Sequence, residues 1–334
     1  MVAMSTYPVS WRRVTSVTIL LVPVSWLFRL AVKIRRLLYA WNVLTREQVP
    51  VPVIIVGNIS VGGTGKTPLV LWLAGFLREA GFRPGIVSRG YGSSAEHVRE
   101  VALNGTPADY GDEPLLLARR GGCPVWVGTD RVAAARALLA QHPECNVIIS
   151  DDGLQHYRLA RAFEIAVVDT SRGMGNGFTL PAGPLREPMS RLNSVDVVVY
   201  NGKAPQTAPP AAKTGVMNID GRDFYNLLEP ARRVQAEYFL ERRVHAVAGI
   251  GNPQRFFDSV SALGLEFTPH AFADHHAYAA SDLAFADCDA VLMTEKDAVK
   301  CAAFAGAEHW ALRVDAKVEP ALGALILERL GKKS

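Results

Sequence analysis

The alternation of apolar and polar positions divides the chain into an amino-terminal helix and two α/β regions. From Val14 to Phe28 the run VTSVTILLVPVSWLF carries no charge, and Arg29, Lys33, Arg35 and Arg36 then arrive among apolar residues. Charge enters before roughly 20 apolar residues are complete, which argues against a full bilayer crossing. Beyond Pro23 the spacing predicts a helix, with Ser25, Arg29, Lys33 and Arg36 on one face and Trp26, Leu30, Leu37 and Trp41 along an apolar flank. Cations on one side and Trp and Leu on the other suit a bilayer interface. The same pattern also describes an ordinary helix packed on a domain, with long cationic chains reaching to water. A secretory leader fits poorly, because no small-residue cleavage site follows the apolar run. Residues 1–44 are therefore assigned to a basic amphipathic, membrane-associating segment.

From 45 to 215, β-branched runs alternate with helical periodicity. Val51 to Val56, Val147 to Ile149 and the stretch VDVVVY before Asn201 read as buried parallel strands. This predicts a P-loop-type parallel sheet flanked by helices. The Pro- and Ala-rich stretch GKAPQTAPPAAKTG reads as an exposed connection, and 216–242 as a linker. A second, smaller α/β domain is expected over 243–334, opening with strand, glycine turn and helix in VHAVAGIGNPQRFFDSVSALG. Its GIGNP lacks the third glycine of a dinucleotide fingerprint, so no cofactor is expected there. In DAVLMTEKDAVK, Lys296 and Asp297 are expected to face a cleft.

Composition narrows the class without naming an activity. The 334 residues are 49% hydrophobic and 20% charged, enough for two folded units, with no low-complexity tail or solenoid repeat. A formal charge of +4 fits an acidic substrate or an anionic membrane surface but selects neither. No nucleic-acid partner and no obligate protein partner is expected. Cys123, Cys145, Cys288 and Cys301 form no CxxC pair and read as reduced core thiols of a cytosolic protein.

The strongest local signal is VPVIIVGNISVGGTGKTPLVLWLAGFL. A strand, a glycine-rich loop, GKT and a helix follow in the order of a phosphate-binding loop. The nucleotide cradle runs through Gly62, Gly63, Thr64, Gly65, Lys66, Thr67 and Pro68. Its glycines let backbone N–H groups close on phosphate oxygens, Lys66 reaches the terminal phosphates, and the Thr67 hydroxyl binds Mg²⁺. Ser60 stands where the usual first glycine would be, with Gly57 a little earlier. The stretch NVIISDDGLQH places Asp151 and Asp152 at a strand end, where such enzymes keep their Mg²⁺-organising carboxylate. Alone, paired aspartates after a strand more often cap a helix or turn.

Among P-loop classes, a GTPase would need a base-reading NKxD, and neither NGKA nor TEKD fits it. A partitioning ATPase usually carries Lys ahead of its GG-T-GKT, where this chain has Val61. A kinase needs an acceptor site and a base. GNISVGGTGKTP, VSRGYG, GDEPLLLA, SDDGLQH, RGMGNGFTLPAGPLREP, FADHHAY and MTEKDAVK occur in order, and the series resembles the tetraacyldisaccharide 4′-kinase (lipid A 4′-kinase) family along nearly the whole chain. Met174 and Thr179 stand where the family would carry bulkier or more apolar residues.

The resemblance implies transfer of the γ-phosphoryl of ATP, with Mg²⁺, to the 4′-hydroxyl of a tetraacylated glucosamine disaccharide 1-phosphate at the cytoplasmic face of the Gram-negative inner membrane. It points to Asp112 as the base, supported by His275 rather than His276, although GDEP is also a good helix start. It raises Arg89, Tyr91, Arg131 and Arg186 as substrate or phosphate contacts, and Glu113 as a group that orders the site or helps hold the metal. Asn176 and Glu187 either bind sugar or order Arg186. With Asp112 in the first unit and His275 in the second, the site would span the cleft between domains.

Overall fold

The computed structural model describes residues 8–91, 97–204 and 213–331; most of the Pro- and Ala-rich connection lies outside them. A short α1 (Val9–Arg12) leads into α2 (Ser16–Ala40), which Thr15 caps through a reciprocal pair of bonds with Thr18. The helix expected only beyond Pro23 thus starts about two turns earlier, at Ser16, and runs through the proline. Ile19 is the residue whose carbonyl a Pro at 23 leaves without its helical donor.

Of the two settings that the pattern of α2 allows, the helix takes the one with its apolar flank turned away from the body. Ser25 is buried, its hydroxyl 2.7 Å from Thr179 O and 2.8 Å from Thr179 Oγ1, while Arg29, Lys33 and Arg36 line a cavity against the body. Val17, Ile19, Leu20, Val24, Trp26, Leu27, Leu30 and Ile34 point outward and are exposed. Thr179 is therefore polar because it meets Ser25. Trp11 adds a second tie, its indole N–H donating to Pro181 O at 3.0 Å.

The first sheet has its strands in sequence as β1 (Val53–Gly57), β2 (Pro84–Ser88), β3 (Arg99–Glu100), β4 (Val125–Val127), β5 (Val147–Asp151), β6 (Phe163–Asp169), β7 (Val197–Asn201) and β8 (Lys213–Asp220). The second holds β9 (Phe224–Asn226), β10 (Arg233–Val234), β11 (Val244–Ala248), β12 (Thr268–Ala271), β13 (Ala290–Thr294) and β14 (His309–Leu312). A last strand, β15 (Asp315–Val318), returns to the first sheet, whose order is β15-β8-β7-β6-β1-β5-β2-β4-β3. Its inner strands run parallel, and β15 and β3 close the edges antiparallel.

Helices α3 (Lys66–Glu79) and α5 (Asp112–Gly121) cover one face, and α6 (Arg131–Gln141) the other; α4 (Pro107–Tyr110) leads into α5. Beyond the second unit's α7 (Pro253–Ala262) and α8 (Glu295–Cys301), α9 (Pro320–Gly331) buries Leu322, Ile326 and Leu330 with Leu69, Leu73 and Leu77 of α3. At about 1.5–3 kcal/mol per buried aliphatic side chain, α9 is an integral part of the first core.

Two expected boundaries shift accordingly. The expected linker 216–242 contains the end of β8, all of β9 and all of β10, divided between the sheets, and the chain from 315 onward belongs to the first unit. Pairing decides both: β8 extends a parallel ladder from β7, and β15 pairs back on β8. The two crossings lie side by side, Arg313 N donating to Asp223 O at 2.9 Å.

Candidate active site

The phosphate loop leaves β1 at Gly57, where a Cβ would come within 2.8 Å of Leu154. Asn58 braces the loop, its side-chain amide donating to Gly62 O at 3.3 Å while its backbone carbonyl accepts from Gln155 Nε2 at 3.0 Å. Gly62 and Gly65 take φ of +91° and +90°, a left-handed conformation that favours glycine. Ser60 is buried and its backbone bridges Leu185, so the loop is pinned where the missing glycine would flex. Gly65 is the N-cap of α3 and supplies no side-chain cap, which leaves first-turn N–H groups for an anion.

At the end of β5 the two aspartates differ sharply. Asp151 is fully buried and accepts from the Ser88 hydroxyl at 3.1 Å, while its other oxygen has no partner. Burial, reinforced by the charge of Glu113, pushes its carboxyl up despite Lys66. Asp152 meets Lys66 at 3.4 Å and Arg186 at 2.9 Å, and these cations outweigh burial and hold it well below the usual range. Its φ of +48° lies in the left-handed region that Asp tolerates better than most residues. Arg131, the first residue of α6, is buried with a single 3.3 Å bond to Gly128 O and an unpartnered Nε. Burial lowers its pKa to about 10, against the pull of Asp152 and Asp151.

The second cluster crosses between the sheets. Asp112 opens α5 and is buried; one oxygen accepts from Glu113 N at 2.9 Å and the other lies 3.1 Å from His275 Nδ1. The two contacts thus use different oxygens of one carboxylate. His275 has φ +61° and its ring centroid lies 5.3 Å from that of the exposed Tyr91, whereas His276 turns away to Asp282 at 3.0 Å. Lys296 Nζ lies 3.2 Å from Glu113, 3.5 Å from Asp274 and 3.8 Å from Asp112. Burial works against the Asp112 charge, but the His275 bond and Lys296 win and hold its carboxyl below the usual value. The Asp112 bond in turn raises His275, and the three carboxylates outweigh burial to raise Lys296.

One cavity of about 200 Å³ runs from Gly63–Pro68 to Glu113 and Lys296, beside both clusters, and Asp112, His275, Asp151 and Asp152 are not among its lining residues. Leu71, Ile219, Phe256 and Leu312 give it apolar walls, and Arg120 and Arg255 polar ones. Arg89 sits exposed at a strand end. Asn176 is occupied by Ser10 O at 2.6 Å and Ala182 O at 2.8 Å. Glu187 is buried among Tyr157, Gln155 at 2.8 Å and Arg191 at 3.5 Å, so these two side chains order their loop. Arg255, which no motif had marked, reaches from α7 to Asn201 at 2.6 Å and Asp169 at 3.4 Å, and Asn201 in turn donates to Thr64 O at 3.0 Å.

Comparison with known proteins gives a consistent result. The family model described as tetraacyldisaccharide-1-P 4′-kinase matches residues 17–331. A tetraacyldisaccharide 4′-kinase of Azoarcus sp. (strain BH72) is 54% identical over 329 residues, covering 98% of this chain and 96% of the relative. One from Methylobacillus flagellatus is 51% identical over 320 residues, covering 96% and 94%. The crystal structure of LpxK from Aquifex aeolicus in complex with ATP superposes with a TM-score of 0.82 at 30% identity, covering 94% of this chain and 99% of that one.

Proposed function

The chain belongs to the tetraacyldisaccharide-1-P 4′-kinase family, and on that premise we propose how its cleft carries out the reaction. The protein is an ATP-dependent kinase that transfers the γ-phosphoryl group to the 4′-hydroxyl of a tetraacylated glucosamine disaccharide 1-phosphate, a late step of lipid A biosynthesis. Gly62 to Pro68 cradle the ATP phosphates, Lys66 draws on the terminal ones, and the apolar walls at Leu71, Phe256 and Leu312 receive the nucleobase.

The observation that carries the mechanism is the 3.1 Å contact between Asp112 and His275. A sugar hydroxyl is a weak nucleophile, and a positioned carboxylate that accepts its proton as the phosphoryl moves speeds the transfer. His275 holds the Asp112 carboxylate in one orientation and takes part of its charge. Lys296 keeps that carboxylate ionised. Arg186 and Arg131 bind phosphate oxygens, with Arg89 and Tyr91 at the rim toward the sugar.

Magnesium fits the aspartate pair, because Asp151 presents a buried carboxylate oxygen with no partner. Asp151, Asp152 and the Thr67 hydroxyl would hold it beside the phosphates, in keeping with a cation that uses one or two carboxylates plus substrate oxygens. Bound there, it would neutralise charge on the transferred group.

The outward apolar face of α2 supports association with a membrane, and the lipid acceptor of the family makes the cytoplasmic face of the inner membrane the reading we adopt. The helix is 25 residues, about 37 Å, and is long and apolar enough to cross a membrane by length and composition. Its ties to the body at Ser25 and Tyr39 favour a monotopic position, lying along the interface.

The test is transfer from γ-labelled ATP to the disaccharide 1-phosphate in detergent, with Lys66→Ala beside the wild type. Label on the lipid that vanishes in the variant is expected. ATP hydrolysis without labelled lipid would remove the acceptor site from the account.

A further inference from the structure

The geometry points to an anion site at the foot of α2, separate from the catalytic cleft, that takes the phosphodiester headgroup of an anionic phospholipid. It rests on the membrane-associated reading of α2. A cavity of about 670 Å³ lies between the carboxyl half of α2, the turn at Met189–Ser194 and the segment entering β6. Ala162 on its wall donates to Val53 O at the beginning of β1, whereas the phosphate loop leaves the other end of that strand. Four residue steps along β1 set the two places roughly 13 Å apart.

The charge in this cavity is not balanced by the protein. Its carboxylates are Glu164 and Asp196. Glu164 is consumed by Arg161 and Arg191, each at 2.7 Å, and Asp196 accepts from Glu164 N at 2.8 Å. Arg29, Lys33 and Arg46 also line the space, and none has a carboxylate within 4 Å among the described residues. Arg329 on the opposite wall bonds only a neutral carbonyl, Ala162 O at 3.2 Å. Arg29, Lys33, Arg46 and Arg329, all open to solvent, thus ring one cavity without carboxylate partners, a concentration of like charge that an anion between them would offset.

The orientation of α2 selects the kind of anion. A helix packed on its own domain turns apolar residues inward and lets its cations reach water. Here Arg29, Lys33 and Arg36 line the cavity beside the body, the first two still open to solvent, and Trp26, Leu27, Leu30 and Ile34 are exposed on the outward flank. An amphiphile meets both faces at once, its phosphate among the inner cations and its acyl chains along the outer flank. Glycerol phosphate fits the volume easily, and a diester supplies two charge-bearing oxygens for Arg forks.

The test uses the full chain with mixed phosphatidylglycerol–phosphatidylcholine vesicles, and phosphatidylcholine alone, in sedimentation without acceptor or ATP. R46Q/R329Q removes two cavity cations; R12Q/R13Q removes two exposed ones outside it. The single R46Q repeats the measurement with the Arg329 bond to Ala162 intact. Glycerophosphoglycerol and inorganic phosphate serve as soluble competitors, and kinase activity on detergent-dispersed acceptor is followed in every variant.

The site predicts at least a tenfold loss of preference for the anionic vesicles in R46Q/R329Q, retention in R12Q/R13Q, competition by glycerophosphoglycerol, and full kinase activity. Diffuse attraction weakens by about fivefold for each cation removed wherever it lies. Equal losses in both double variants, without competition by the soluble headgroup, would overturn the proposal. Competition by inorganic phosphate alone would make this a free-phosphate site. Kinase activity lost together with vesicle preference would assign the cavity to the acceptor's own phosphate. Wild type indifferent to both vesicle types would instead overturn the membrane reading of α2.

Discussion

His275 Nδ1 lies 3.1 Å from Asp112 Oδ2, across the boundary between the two sheets and 163 positions away in the chain. Neither unit alone holds both members of the pair. In the proposed mechanism the carboxylate that takes the proton comes from a helix of the first sheet, and the group that orients it from a loop of the second. On that reading, reactivity is tied to how the two units sit together.

Replacing His275 with Gln should lower kcat by about 10- to 100-fold with little change in ATP affinity. It also has a pH signature. His275 has its pKa raised in the folded protein, so its share of stability is complete below about 6.5 and lost as pH rises through the folded value. Asp112 is lowered, so its share persists until the medium falls below about 4. The wild-type advantage in Tm over His275→Gln should be largest between these limits and shrink in alkali. A difference constant with pH would exclude the charged contact.

Lys296→Met should move the acid limb of kcat/KM to higher pH. Lys296 is one of the groups holding Asp112 below its ordinary value, and without it Glu113 and Asp274 crowd the base with like charge. Loss of rate at low pH with recovery near neutrality is the expected profile. A uniform fall at all pH values would make the lysine structural only.

Arg120 reaches from α5 to Glu295 of the second unit, with Glu295 almost wholly buried. Arg120→Leu should destabilise the protein by about 3–5 kcal/mol, because it strands a buried carboxylate. Adding Glu295→Leu should recover much of that loss in denaturant unfolding. Equal stability of single and double variants would show that the pair is not a pin between units.

Leu20→Asp with Leu27→Asp places charge on the outward flank of α2, where both residues are exposed in the folded chain. Each charge costs roughly 2.5–3.5 kcal/mol in the apolar layer. The membrane-bound fraction should fall at least tenfold, with ATP binding unchanged. Undiminished flotation with vesicles would place this flank outside the bilayer.

The parts of this account legible in the sequence are those written in short local patterns. Gly62 to Thr67 must take one backbone path to bind phosphate, and β-branched runs such as Val53 to Val56 have few uses other than a buried strand. What escaped depends on pairing or docking at long range. Nothing near Lys213 or Asp315 says that these strands pair with each other, and nothing near Ile326 says that it packs on α3. The amphipathic periodicity of α2 identifies two faces without saying which one meets the body. Ser25 meeting Thr179 decides it. Lys296 was visible only as a residue near a cleft, because its carboxylate partners come from two distant segments.

The most direct test of the central claim is single-turnover transfer from ATP to the detergent-dispersed acceptor by Asp112→Ala, with ATP affinity measured on the same preparation. A rate lower by about 10²–10⁴ with ATP binding essentially intact is predicted. Transfer at the wild-type rate would contradict the account and remove Asp112 from the chemistry.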